Sequence, residues 1–398
     1  MDADLRRQPR TGDPSLDSEP AVLALIRDEI TRTGPITFAR FMDLALYSPA
    51  VGYYTSSPTR IGRGGDFLTA PETHPIFGAA LARQVTDAWH RLGQPGEFTV
   101  REYGAGRGAL AEAIIRTLSA DEPVLARALR YEAVEINPHR RGELVRRFAD
   151  ALPGAAFSAL GPATAAGSAP APAGLVLANE FLDAFPVHRV EQTAGGMREL
   201  YVDWRDEALV DVAGPASTPL LAERLEADGI RLEEGQRAEI ALGLDGWLAE
   251  VARWLQRGIV IVIDYGYPAT ELHAPRRRAG TLMGYVDHQP VDDPLVAVGR
   301  QDLTAHVDFT AVERAATAAG LTTIGSTTQA SFLVSLGLED LLERARSSPD
   351  LRLEEYLELR SGIVRLLDPR HTGGFRVLVL GRDVDTGRPL LGLHRVSR

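Results

Sequence analysis

The chain has 398 residues, 44% of them hydrophobic, with 43 basic and 54 acidic side chains for a net charge of −11; this suits one large globular core or two unequal domains and excludes coiled coil, collagen and wholly disordered chains. The acidic balance gives no support to nucleic acid or an anionic membrane surface as a partner and would favour a cationic one. With no Cys and no Lys in the sequence, disulfides, thiolate nucleophiles, Cys-ligated metals, Schiff-base lysines and the Lys-dependent phosphate loop are excluded.

Residues 1–20 read as a polar, flexible tail without the apolar stretch of a signal peptide. The apolar run over 258–263 is far short of the roughly 20 residues a membrane helix needs, so a cytoplasmic protein is expected. Residues 21–95 read as a helical N-terminal subdomain. Val22, Leu25, Ile26 and Ile30 recur at helical spacing, Phe38, Phe41, Met42 and Ala45 repeat it, and Ile76, Phe77, Ala80, Leu81, Val85, Ala88, Trp89 and Leu92 form a third stripe after Pro75. Between the second and third helices lies a loop with Gly62, Gly64 and Gly65 that no regular element would tolerate. Tyr53 and Tyr54, just ahead of it, are candidates for lining an acceptor pocket, or for simple core packing.

From residue 96 the pattern changes to strand, turn and helix. Strands are predicted over 98–103 and 131–136, helices over 109–118 and 140–149, and buried strands over 175–178 and 259–264. This βαβα order demands an α/β fold with a parallel sheet, whose first part spans 96–197. An insertion follows over 198–257: alternation of Leu200, Val202 and Trp204, then of Leu209, Val210 and Val212, predicts a hairpin ahead of an acidic helical stretch. The remainder, 258–398, supplies a closing antiparallel pair over 321–328 and 375–380. Pro, Ala, Gly, Ser and Thr fill 161–174, which predicts a flexible surface connection.

Glu102, Gly104, Ala105, Gly106 and Gly108 make a glycine-rich turn between the first parallel strand and its helix, where a nucleotide-like ligand meets exposed backbone N–H groups. Gly104, Gly106 and Ala109 also satisfy G-x-G-x-x-G/A, so a nicotinamide dinucleotide stays open on that motif alone. Glu102 discriminates. An acid two positions ahead of the first glycine can face the α-ammonium group of S-adenosylmethionine (SAM), whereas it would repel a pyrophosphate. At the tip of the second strand Glu135, with Ile136 beside it, can accept both ribose hydroxyls, a role shared by NAD and SAM sites. The fourth strand runs into Asn179, Glu180, Asp183 and His188, at the carboxyl end where active sites of open parallel sheets lie. Asn179 can contact the methyl acceptor or the methionine moiety, or cap a helix.

Five separated segments then carry a family resemblance: Gly64-Gly65-Asp66-Phe67-Leu68-Thr69-Ala70-Pro71-Glu72, the turn from Glu102 to Gly108, Asn179-Glu180-Phe181-Leu182-Asp183-Ala184-Phe185-Pro186, Ile263-Asp264-Tyr265-Gly266 and Ala305-His306-Val307-Asp308-Phe309-Thr310. In this order, over roughly residues 36–380, they resemble the MidA-like SAM-dependent methyltransferases, whose mitochondrial relatives are implicated in respiratory complex I assembly through arginine methylation. Tyr103 and Ala109 depart from the expected residues. The resemblance implies an α/β, class I, Rossmann-like methyltransferase with a mostly parallel seven-stranded sheet, a helical N-terminal addition and an inserted α+β segment. It implies SAM as cofactor, with Gly65, Asp66, Thr69 and Pro71 folding over it beside the glycine turn. It also implies a protein or peptide arginine as acceptor, and a homodimer. A small molecule or peptide of secondary metabolism is the alternative acceptor, and a SAM-binding assembly factor without turnover the alternative role. For a guanidinium acceptor Glu180 and Asp183 are the catalytic candidates, with Asp264 third, because paired carboxylates can localise its charge and take its proton. No metal is expected, since no His falls in a metal-binding spacing; His288 and His306 are the only ones inside motif-like segments.

Overall fold

The alternation of apolar strands and amphipathic helices from Phe98 onward folds, in the computed structural model, into a seven-stranded sheet. The structure describes residues 17–56, 70–152, 154–287, 289–347 and 352–394. The strands are β1 (Phe98–Tyr103), β2 (Leu129–Val134), β3 (Phe157–Leu160), β4 (Gly174–Asn179), β5 (Gly258–Asp264), β6 (Thr322–Thr328) and β7 (Arg376–Arg382). They lie in the order β3-β2-β1-β4-β5-β7-β6. β1 to β5 pair in parallel, while β7 is antiparallel to both of its neighbours. This is the mostly parallel α/β sheet that the resemblance implies. The strand order reverses between β1 and β4, so their carboxyl ends flank the crevice in which open α/β sheets bind ligands.

All seven residues of β5 are buried, as a strand covered on both faces requires. Leu175, Leu177, Ile259, Ile261, Ile263, Val377 and Val379 share one core with Phe77, Leu81 and Val85 of helix Ile76–Arg91 and with Ile114, Ile115 and Leu118 of helix Ala109–Asp121. Each fully buried aliphatic side chain of this kind contributes about 1.5–3 kcal/mol of transfer free energy. That burial seats helix Ile76–Arg91 on the sheet, in a different core from that of the N-terminal helices with which its position in the chain groups it.

Connection 161–174 departs from its composition. It carries a helix, Pro162–Ala166, and buries Ala165, Ala171 and Ala173. The cause is Arg101 on β1, fully buried, whose guanidinium needs acceptors: it pairs with Glu132 at 2.6 Å and donates to the Ala165 carbonyl at 3.2 Å and to the Ser168 hydroxyl at 2.6 Å. Its plane lies 3.8 Å over the Trp254 ring.

The chain divides into two compact units, and each draws on three separate stretches of sequence. The sheet described above belongs to the unit of Leu68–Leu182, Asp245–Gly266 and Val312–Arg398; the other takes Met1–Phe67, Asp183–Leu244 and Tyr267–Ala311. In this second unit the expected hairpin forms from strands Gly196–Arg205 and Ala208–Gly214, with Asp206 (φ 47°) and Glu207 (φ 60°) both left-handed in a two-residue turn. It joins a five-stranded sheet in which Ile36 and Thr37 pair with Val202 and Tyr201. Strand Arg237–Ile240, inside the stretch read as helical, completes the far side against strand His188–Thr193 and buries Ala238 and Ile240. The N-terminal helices Pro20–Thr33 and Phe38–Tyr47 therefore share a core with the insertion, through Val22, Ile26, Phe38, Phe41 and Val202. No helix among the described residues is long and apolar enough to cross a membrane.

Candidate active site

The turn after β1 carries three glycines in left-handed backbone: Gly104 (φ 69°), Gly106 (φ 53°) and Gly108 (φ 77°). At Gly106 an added Cβ would meet, among the described residues, only the Gly104 carbonyl, at 3.9 Å. Glycine is therefore needed there for its φ and for the close approach of a ligand to the backbone, not to make room for protein. At Gly104 the same atom would come within 3.0 Å of the Phe181 ring. The rings of Phe181, Tyr103 and Trp247 lie 5.6–5.7 Å apart around this point.

Glu102, near the end of β1, is 5% exposed and accepts a hydrogen bond from the Tyr131 hydroxyl of β2 at 2.7 Å. Burial, helped by the charge of Glu135 and opposed by the Tyr131 bond, pushes its carboxyl up to about 8. The group is mostly protonated at pH 7, and a cation brought against it draws the proton off. Ahead of a glycine turn this arrangement suits an ammonium, against which the carboxyl ionises.

Glu135, 3% exposed, stands just past β2. Its Oε2 accepts from the Gly106 N–H at 2.9 Å, its Oε1 accepts from the Asn137 N–H at 2.8 Å, and Arg140 Nη1 lies 3.5 Å from Oε1. The acid expected at a ribose therefore also ties the tip of β2 to the glycine turn. A carboxylate offers about four acceptor positions, so these contacts leave capacity for hydroxyl donors. Burial raises the pKa of Glu135, while Arg140 and the two N–H groups pull it down. Ile136, partly exposed, adds a carbonyl that accepts from Arg141 at 2.8 Å.

β4 ends at Asn179, and the chain then turns through Glu180 at φ 48°. A non-glycine residue held there stores about 1–3 kcal/mol and persists only where its surroundings over-determine it. Here they do. The Glu180 N–H donates to the Ile263 carbonyl of β5 at 2.8 Å, and its Oε1 accepts from the Ala70 N–H at 2.8 Å and from Asn179 Nδ2 at 3.1 Å. The next two N–H groups, of Phe181 and Leu182, donate to Asp264 Oδ2 at 3.1 and 2.9 Å, and Tyr265 N–H donates to Asp264 Oδ1 at 2.9 Å. Asp264 is fully buried, and its carboxylate is committed to the backbone of this turn. Pro71 sits in the short helix Ala70–Thr73, whose first N–H is the one bound by Glu180. Gly65, Asp66, Thr69 and His288 lie outside the described residues.

Asp183 belongs to the other unit, where its carbonyl accepts from the Ala305 N–H at 2.9 Å. In that unit the Tyr54 hydroxyl donates to Asp302 at 2.6 Å, Tyr47 stacks on Tyr54 at 5.5 Å and Tyr53 meets Tyr54 edge-on at 5.0 Å. Burial pushes the hydroxyls of Tyr54 and Tyr285 up, and the charges of Asp302 and Asp183 add to it. The ring of His306, also in this unit, lies tilted against that of Tyr267, with centroids 5.6 Å apart. Burial, with Arg277 nearby, lowers its pKa to about 4 and keeps it neutral at physiological pH. No group of three His, Cys, Asp or Glu among the described residues is arranged to hold a metal.

The structure thus brings Glu102, Gly104, Ala105, Gly106, Gly108, Glu135 and Ile136 together around one turn, and Asn179, Glu180 and Asp264 around another. Sequence reasoning passed over Tyr131, Phe181, Trp247 and Arg140. For Arg140 a signal existed: Asn137 followed by Pro138 is a helix start, which puts residue 140 in the first turn beside Glu135.

Residues 80–327 match the model of a family described as "Putative S-adenosyl-L-methionine-dependent methyltransferase". The mouse protein named Protein arginine methyltransferase NDUFAF7, mitochondrial, is 31% identical over 371 residues, which cover 87% of this chain and 80% of the relative. Its zebrafish counterpart is 30% identical over 360 residues, covering 85% and 81%. A Burkholderia thailandensis protein crystallised with S-adenosyl-homocysteine bound is 33% identical, with a TM-score of 0.85 over 98% of this chain and 99% of that one. A buried acid ahead of the glycine turn and a second acid behind it fit a nucleoside with a cationic amino-acid tail, and with these matches the nicotinamide alternative falls away. The chain is an enzyme that uses SAM, and it belongs to the MidA-like family of S-adenosyl-L-methionine-dependent methyltransferases.

Proposed function

We propose that this methyltransferase modifies arginine side chains of a partner protein. When bound, SAM supplies a methyl group already activated on a sulfonium, so the protein's share is positioning and the exclusion of water. In this reading Glu102 takes the cofactor's ammonium, the Gly104–Gly106 backbone lies against its tail, Glu135 takes the ribose hydroxyls and Asn179 the methionine moiety. Glu180 holds a nitrogen of the incoming guanidinium, and Asp183, three positions on in the chain, is the second candidate acid. A free guanidinium does not lose its proton in water, but carboxylates bonded to two of its nitrogens concentrate the positive charge there and leave the third more nucleophilic. The proton displaced as the N–C bond forms passes to one of these acids. Asp264 is a positioning residue that keeps the turn in place.

The observation that carries the reading is the strained backbone of Glu180, at φ 48°, maintained by neighbours at the carboxyl end of β4 where catalysis is expected. Relatives about 30% identical carry the name protein arginine methyltransferase, which points the same way.

The test is incubation with methyl-labelled SAM and a fractionated host lysate, followed by hydrolysis and mass spectrometry. Methylarginine in protein is expected. Glu180→Gln and Asp183→Asn are expected to keep S-adenosylhomocysteine binding and lose transfer by at least about 100-fold, the size of a general acid–base contribution. Label confined to small metabolites, or to a residue other than arginine, would overturn the assignment.

A further inference from the structure

Helix Pro138–Ala151 begins beside the tip of β2, where Asn137 Oδ1 accepts from the N–H groups of His139 and Arg140. Arg140 is 3% exposed, yet its guanidinium has little to show for its burial. Nη1 lies 3.5 Å from Glu135 Oε1, while Nε and Nη2 have no hydrogen-bond partner among the described residues. Arg141, its neighbour, is placed quite differently: its Nη1 donates to the carbonyls of Glu135 and Ile136, each at 2.8 Å. For stability alone Arg140 is a poor choice. A buried cation is costly unless its donors are well paired, and an apolar side chain of similar volume commonly serves the fold as well or better. Orphaned donors at nine-tenths burial call for a reason, and the one group that the Arg140 guanidinium reaches among the described residues is Glu135.

We propose that Arg140 is a positioning residue of the cofactor site, which fixes the Glu135 carboxylate against the glycine turn so that it meets the ribose hydroxyls of bound SAM. The inference rests on the ribose role given to Glu135 above and is independent of the methyl acceptor. The polar groups facing Glu135 are the Gly106 N–H from the turn after β1, the Asn137 N–H, Arg140 and Arg141 from the following helix, and Glu102 from the end of β1. Burial opposes the charge of Glu135, and Arg140 is the cation that most favours it. Two hydroxyl donors are best held by a carboxylate, because a protonated acid turns one oxygen into a competing donor. Taking the cation away makes Glu135 harder to ionise. The affinity lost should then be greatest at low pH and should return as the pH rises.

The experiment is titration calorimetry of the full chain with S-adenosylhomocysteine between pH 6 and 9, on wild type, R140Q, R140K, E135Q and the E135Q/R140Q double variant. Working with the ratio of variant to wild-type Kd cancels the pH dependence that both share through Glu102. R140Q is expected to bind about tenfold more weakly at pH 6.5, a loss of about 1.4 kcal/mol, with the gap closing to about twofold by pH 9. R140K, which keeps the charge, should stay within about threefold throughout, and R140Q should add almost nothing in the E135Q background. A gap that stays constant with pH, or an equal loss in the E135Q background, overturns the role of Arg140 while leaving the ribose assignment standing. If E135Q binds as tightly as wild type, the ribose assignment fails and this proposal with it. Should R140Q fail to fold by circular dichroism, R140K decides: a loss as large as that of E135Q overturns the proposal.

Discussion

The Oε2 atom of Glu135 accepts the backbone N–H of Gly106 at 2.9 Å, so an acid at the end of one strand sets the shape of the glycine turn that follows another. The same residue is held from behind by Asn137 and Arg140. Ligand recognition and turn geometry are therefore coupled, and a substitution at either end should be felt at the other.

Gly106 offers the cleanest probe of the turn. Its φ of 53° is unfavourable for a branched side chain, but an added Cβ meets no atom of the described residues closer than 3.9 Å. Gly106→Val should weaken S-adenosylhomocysteine binding by at least about 100-fold, or about 2.7 kcal/mol, and lower the denaturation midpoint only by the strain of about 1–3 kcal/mol. Gly104→Val should also disturb Phe181, which lies 3.0 Å from where its Cβ would be, and cost more stability. Wild-type affinity in Gly106→Val would place the cofactor elsewhere.

Glu102 makes binding and protonation interdependent. Its pKa of about 8 in the folded chain means that an arriving ammonium displaces a proton at pH 7. Calorimetry in phosphate and in Tris should give binding enthalpies that differ by a fraction of one proton's buffer ionisation enthalpy, and Glu102→Gln should erase the difference. The sign for folding is fixed too. A carboxyl raised from 4.5 to about 8 favours the folded state below pH 4.5, and that contribution is lost as pH climbs to 8 and beyond. Glu102→Gln should therefore gain stability relative to wild type at pH 9. Enthalpies that match between buffers would show that the ammonium does not sit against this acid.

Asp264 should act through the backbone. It accepts from the N–H groups of Phe181, Leu182 and Tyr265, and an asparagine offers one acceptor oxygen where two are used. Asp264→Asn is expected to destabilise the chain by about 1–3 kcal/mol, the cost of stranding a buried donor. Unchanged stability with transfer abolished would return Asp264 to the list of proton acceptors.

Much of this was legible in the residues. The strands over 98–103 and 259–264, the helix after Pro75, the hairpin over 198–212 and the acid ahead of the glycine turn are local patterns. Periodicity, turn chemistry and the spacing of a charge from a glycine all act within about ten residues, so they survive in a sequence read without its fold. What could not be read this way depends on partners far apart in the chain. Ile36 finds Val202, Arg101 orders a connection of alanines and prolines, Asp264 gathers the N–H groups of Phe181 and Leu182, and Arg140 turns back on Glu135. A buried charge or backbone donor takes whichever partner the fold brings within about 3 Å, and only tertiary structure decides which that is.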